Sequence, residues 1–258
     1  MARISAVIIA LNEEKNIGGC LEAVAFCDEK IVVDSGSADR TIAIAEVHGA
    51  KVFSNAFVDF ASQKNVGIGK ARGDWVLLID ADERVSEALA LTIKKTLMNP
   101  TFDGYYLTRL NRIFGRWMRH GDNANDLQLR LVKKEKALFE GAVHERIYLQ
   151  EKTGILKGPL LHYSTENISS YMKKLNQYTG LEATTWGHVN HLTCPHVVEG
   201  RCSPVKMLLK PIGLFFYRLI WQRGFLDGME GFFFCALSAY YQFLCQAKKW
   251  EIQTEVTK

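Results

Sequence analysis

Residues 74–85 read DWVLLIDADERV: five apolar residues, Trp75 to Ile79, run straight into Asp80, Asp82 and Glu83. Two other apolar runs end in a similar way. "ISAVIIA" (4–10) is followed by Asn12, Glu13 and Glu14, and "KIVVDSGS" (30–37) carries Asp34 just ahead of Ser35 and Gly36. Crowded carboxylates repel one another and raise each other's pKa. A hard divalent cation removes that cost. Mg2+ uses one or two protein carboxylates and completes its shell with water and substrate phosphates, and Mn2+ accepts similar oxygens. Asp34, Asp80 and Asp82 therefore point to a metal–diphosphate site. The plainer reading also stands: each acid leads into a helix whose N-terminus favours negative charge. Other motifs are missing. There is no DxDxDG calcium loop, and no Walker A run follows a strand. "GIGKARG" (67–73) precedes a strand where a dinucleotide fingerprint would follow one.

The elements that must hold these acids alternate in type. "ISAVIIA" is β-branched and continuous, as expected of a buried parallel strand. "EEKNIGGCLEAVAFC" has helical periodicity, "KIVVDSGS" is a strand, and "ADRTIAIAEVHG" is a helix stopped by Gly49. "AKVFSN" reads as a short strand, "DFASQKNVGIGKARG" as a helix, and "WVLLI" as the next strand. "SEALALTIKKTL" follows as a helix with Ser86 at its N-cap and Pro100 beyond its end. This rhythm predicts an α/β fold with a mostly parallel, doubly wound sheet flanked by helices. In such sheets ligands bind outside the carboxyl ends of the strands, where the acids lie. The pattern changes near residue 101. Residues 1–100 are expected to form a nucleotide-binding half, 101–186 a strand-rich acceptor half of the same domain, and 187–258 a loop followed by apolar helices.

The formal net charge of +4 is too mild to suggest nucleic acid as a partner. The cysteines are scattered with no CxxC, as in reduced intracellular proteins. The N-terminal apolar run lacks a small-residue cleavage site and reads as a strand, so the protein is expected on the cytosolic side. His188, His191, Cys194, His196 and Cys202 crowd the 187–203 loop, but their spacing fits no common zinc pattern. Further on, Lys206, Lys210 and Arg218 interrupt one apolar stretch, and Gly231–Cys245 is too short for a span of about twenty residues. Aromatics interleaved with Lys and Arg fit helices lying in the interface of an anionic leaflet; packing on the rest of the protein is the other reading.

Four segments in fixed order carry a resemblance: "AVIIALNEEKNI", "IVVDSGSADRT", "FASQKNVGIGKARGDWVLLIDADERV" and "QRGFLDGMEGF…AYYQF…AKKWE". The chain resembles the family 2 inverting glycosyltransferases of GT-A fold. Within them it is similar to bacterial β-1,4-glucosyltransferases acting on heptose of the lipopolysaccharide inner core. The 187–203 loop departs from that pattern in length and in its His and Cys content. The resemblance implies that Asn12 and Glu14 border the nucleotide pocket, Asp34 contacts the uridine of a UDP-sugar, and Lys64 lies near the nucleotide. It implies that Asp80 faces the donor ribose or sugar and that Asp82 ligates the Mg2+ or Mn2+ bridging the diphosphate.

An inverting transfer also needs a base for the acceptor hydroxyl. Asp122, Asp126, His144 and Glu145 are the candidates, and family patterns favour Glu145 in "GAVHERI", with Asp126 next. Arg130 reads either as a phosphate or acceptor contact or as a surface charge. The expected activity is transfer of a hexose, glucose from UDP-glucose, onto core heptose at the cytoplasmic face of the inner membrane. The alternatives are a polyprenyl-phosphate sugar transferase or a non-catalytic sugar-nucleotide-binding membrane protein.

Overall fold

The reason the parallel strands are apolar on both sides is visible in what they face. In β1 (Ile4–Ala10) the side chains of Ala6 and Ile8 enter one core, with Ile17, Leu21, Leu89 and Ile93, while Val7 enters another, with Ile31, Val33, Ala61 and Ile68. A strand covered on both faces cannot alternate apolar with polar. Fully burying an Ile or Leu is worth about 1.5–3 kcal/mol, so these two cores fix the sheet's position between its helices.

The structure, a computed structural model, describes residues 2–123, 126–140, 146–147, 152–185 and 204–255. After β1 the chain continues through α1 (Ile17–Ala23), β2 (Glu29–Asp34), α2 (Thr41–Val47), β3 (Lys51–Ser54), α3 (Phe60–Lys70), β4 (Trp75–Asp80), β5 (Glu83–Val85) and α4 (Glu87–Thr96). Then come β6 (Gly104–Ile113), β7 (Arg116–Trp117), β8 (Asp126–Lys133), β9 (Phe139–Glu140), β10 (Arg146–Ile147) and β11 (Gly154–Thr165). Three helices close the described chain: α5 (Ile168–Thr185), α6 (Pro204–Phe216) and α7 (Gly228–Glu255).

Residues 1–110 with 125–163 form one compact unit, and residues 111–124 with 164–258 form a second. The sheet of the first runs β3-β2-β1-β4-β8-β6-β11-β5. Pairing is parallel from β3 to β4, and β8 then joins β4 antiparallel. Two local features seat the helices. Ser86 caps α4 by accepting the Leu89 amide at 3.3 Å, as its sequence predicts. On α3, a Cβ at Gly67 would stand 2.3 Å from Val7 Cγ1, so only glycine lets this helix lie so close to β1.

In the second unit, β7 folds back on the end of β6 (Ile113 opposite Arg116). The buried Asp227 carboxylate accepts the backbone amides of Arg119 and His120 at 2.9–3.2 Å and lies 2.9 Å from His120 Nδ1. Tyr241 on α7 donates to Glu182 on α5 at 2.7 Å.

Candidate active site

The parallel register brings the acids to one edge. Ala10 of β1 lies opposite Asp34, the last residue of β2, and Ile9 lies opposite Asp80, the last residue of β4. Asp34, Asp80 and, two residues on, Asp82 thus leave the same end of adjacent strands, as their positions in sequence predict.

Asp34 is fully buried and organises the loop that follows it. Its Oδ2 accepts the amides of Gly36 at 2.9 Å and Ser37 at 2.8 Å, and its Oδ1 accepts the Ser37 hydroxyl at 2.5 Å. Ser37 Oγ in turn accepts the Asn12 amide at 2.8 Å, and Asn12 Oδ1 accepts the Ala38 amide at 2.9 Å. Asn12 adopts φ +55°, a left-handed conformation that Asn tolerates better than most residues. Glu14 donates its amide to Asp39 at 3.1 Å, and its carboxylate lies 3.6 Å from Arg40 Nε. Asn12, Glu14 and Asp34 therefore sew the loops after β1 and β2 into one surface at the sheet edge.

The acids after β4 divide into different tasks. Asp80 is an ion-pair residue: Arg130 Nη2 donates to its Oδ2 at 2.6 Å, and Lys64 Nζ lies 3.9 Å from its Oδ1. Burial alone would raise the Asp80 pKa; the Arg130 and then the Lys64 cation override it and hold the carboxyl well below the usual range. Glu83 has no exposed surface. It accepts Arg130 Nη2 at 2.8 Å and the Asp80 amide at 3.0 Å, with Arg109 Nη1 at 3.5 Å. Burial pushes its pKa up, against the pull of Arg130. Burial would lower the Arg130 pKa, but the two carboxylates outweigh it, so Arg130 stays charged. Asp126 extends this network, accepting Arg109 Nε at 2.7 Å and Gln128 Nε2 at 2.6 Å.

Asp82 stands apart from those cations. Its Oδ2 is 3.3 Å from His162 Nε2, and its carbonyl accepts the Tyr163 amide at 2.8 Å. The antiparallel pairing of β5 with β11 sets His162 opposite Glu83, which brings the imidazole to Asp82. The Asp82 carboxylate is the hard oxygen ligand that Mg2+ and Mn2+ favour, and the imidazole beside it offers a second donor; a cation held there would take its other ligands from diphosphate oxygens and water. Among the described residues no group of three or more His, Cys, Asp or Glu side chains is placed to hold a metal. The donor set thus fits a cation bound largely by its substrate.

Lys64 on α3 is buried, with Nζ 5.1 Å from the centre of the Phe139 ring. Its neighbour Asn65 clamps the Phe139 backbone from both sides, each bond 2.9 Å. Glu145 and His144 lie outside the described residues, as does the 187–203 loop. Sequence reasoning passed over His162 and Arg109, gave Glu83 no task of its own, and left Arg130 between a ligand contact and a surface charge. The available signal for Arg130 was a lone arginine inside "LQLRLVKK", on a strand of a protein with acids at its sheet edge.

A family model described as Glycosyl transferase family 2 matches residues 5–177. The chain belongs to that family. Among related proteins, this family 2 chain is 28% identical over 255 residues to the lipopolysaccharide core biosynthesis glycosyltransferase LpsC of Rhizobium meliloti (strain 1021), covering 95% of this chain and 91% of LpsC. An uncharacterized glycosyltransferase of Rickettsia felis is 29% identical over 266 residues, covering 96% of this chain and 89% of the relative. The GT-A fold expected from the motifs is shared with the crystal structure of glucosyl-3-phosphoglycerate synthase from Mycobacterium tuberculosis in complex with Mn2+ and UDP-glucose. That match has a TM-score of 0.50 at 18% identity and covers 73% of this chain and 80% of the other. The family 2 chain is thus a glycosyltransferase with a mixed α/β sheet flanked by helices.

Proposed function

We propose that this family 2 glycosyltransferase moves glucose from UDP-glucose, with inversion, onto heptose of the lipopolysaccharide inner core. The observation that carries the donor half is the Asp82–His162 pair, 3.3 Å apart, two residues beyond an Asp80 that its own cations already neutralise. That division leaves one acid for a metal and one for the nucleotide-sugar. The acceptor half leans on the similarity to LpsC along nearly the whole chain.

In this reading Asp34, Asn12 and Glu14 hold the loops that receive the nucleoside, and Asp80 meets the ribose or sugar hydroxyls. Lys64 and Arg130 keep Asp80 ionised and in place. Asp82 and His162 would hold a divalent cation, which when bound supplies positive charge against the departing diphosphate. Glu145 takes the proton from the attacking hydroxyl as it meets the anomeric carbon opposite UDP.

The test is UDP release with a panel of UDP-sugars, offered either truncated core oligosaccharide or polyprenyl phosphate. Release with UDP-glucose and the heptose-bearing core is the expected result. Release only with polyprenyl phosphate, or binding of UDP-glucose without release under any condition, overturns the reading.

A further inference from the structure

Val205, Leu208, Leu209, Ile212 and Phe216 recur at helical spacing on α6, the pattern of a stripe meant for a core. All five are exposed, with Leu209 at 61%. The helix does have a packed side: Pro211 is buried, and Phe215 meets Phe232 of α7 with ring centres 5.7 Å apart. The stripe is therefore a second apolar face, left in solvent. It continues through the π-helical turn Tyr217–Trp221, where Ile220 is exposed and Trp221 is 80% exposed, and on to Phe225 and Met229. Exposed apolar side chains concentrated in this way mark an interaction site.

One end of it is anchored. Phe225 and Leu226 sit in a single turn of helix, Gly224–Asp227, entered through Arg223 at φ +59°. That turn is pinned by buried Asp227, which grips the backbone amides of Arg119 and His120 in the β6–β7 hairpin segment. The aromatic tip is thus held out by hydrogen bonds from the unit's interior.

The charged residues along it are mostly basic. From Pro204 to Leu226 the sequence carries Lys206, Lys210, Arg218 and Arg223 and no acid. Lys210 and Arg223 are exposed, and the hairpin beside the pinned turn adds exposed Arg112, Arg116 and Arg119, of which Arg116 also lies 3.6 Å from Glu230. Apolar and aromatic side chains flanked by cations match the headgroup boundary of an anionic bilayer, where each basic residue adds to binding. α6 has thirteen residues, short of the twenty or so a span requires, and among the described residues no helix is long and apolar enough to cross a membrane. A second copy is a poorer occupant, because a two-fold contact through this face brings two basic flanks together.

We propose that the face running from α6 through Trp221 to Phe225 docks on an anionic phospholipid surface, with α6 lying in the plane of the interface. The proposal stands apart from the transfer chemistry, and its test uses no activity readout. The full-length protein is sedimented with phosphatidylcholine vesicles with and without phosphatidylglycerol, at low and high salt, and its mass is followed by light scattering. Binding to the phosphatidylglycerol vesicles, weakened about tenfold or more by high salt, is expected. The Leu208→Ser/Leu209→Ser/Ile212→Ser variant should lose binding, and Lys210→Glu/Arg112→Glu should lose it several-fold with the apolar face intact. Thermal unfolding of both variants checks their fold. Equal binding to neutral vesicles, wild-type binding by both folded variants, or a dimer that ignores vesicles overturns the proposal.

Discussion

The Arg130 guanidinium reaches Asp80 at 2.6 Å and, with the same nitrogen, Glu83 at 2.8 Å, all but enclosed by protein. Such a cluster adds little net stability over an apolar one, because desolvation consumes most of the Coulombic gain. Its value is positional. One cation fixes the acid that ends β4 and the acid that opens β5, and Asp82 is held between them.

Breaking the cluster on one side leaves buried carboxylates without their shared cation. Arg130→Met should therefore destabilise the protein by about 3–5 kcal/mol in urea unfolding. Adding Glu83→Gln should recover part of that loss, since it removes one orphaned acid. A loss under about 1 kcal/mol in the single variant would show that the cluster holds nothing.

A pH effect is expected far from the active edge. At the opposite end of the sheet Glu29 takes hydrogen bonds from Lys51 Nζ at 2.7 Å, Ser5 Oγ at 2.8 Å and the Arg72 amide at 2.9 Å. Burial works to raise its pKa, but these donors, led by Lys51, lower it from 4.5 to about 2. A folded pKa below the unfolded one contributes stability that is fully present above the unfolded value and drains as pH falls toward the folded one. Wild type should thus lose more stability than Glu29→Gln between pH 4.5 and about pH 2. Parallel curves from acid titrations of the urea midpoint would contradict this.

Glu145 carries the proposed proton transfer. Glu145→Gln should keep UDP-sugar binding and lower turnover about a hundredfold or more. If turnover stays near wild type, the base is elsewhere, and Asp126→Asn becomes the variant to measure. Asp126 already holds Arg109 at 2.7 Å, so its loss should also lower stability.

The parallel half of the sheet was legible because β1, β2 and β4 are short apolar runs with acids at their ends or within a few residues beyond. Buried strands with acids at one edge leave few other arrangements. The antiparallel half was legible only in part: residues 101–186 read as strand-rich, and β6 and β8 lie there, but β11 and β5 escaped notice. β11 carries Lys157, Gly158 and Pro159 in its middle, and Gly158 takes φ +112° against the backbone of Leu89, so the run reads as broken. Its partner β5 is three residues long and hides inside the acidic cluster. Missing that pairing meant missing His162, which no local pattern links to Asp82. Arg130 sits between leucines on β8, where alternation suggests an outward charge; only the fold reveals acids waiting beneath it. Helices α6 and α7 were legible as apolar helices, but which face stays in solvent depends on packing that periodicity does not encode.

We propose that Asp82 and His162 together give UDP-sugar binding its metal dependence. Calorimetric titration of UDP into the wild-type protein, Asp82→Asn and His162→Ala, each with and without Mn2+, tests it directly. The expected result is that Mn2+ tightens binding about tenfold or more in the wild type and that both variants lose that gain while keeping the metal-free affinity. An equal Mn2+ gain in all three proteins, or none in the wild type, would contradict the account.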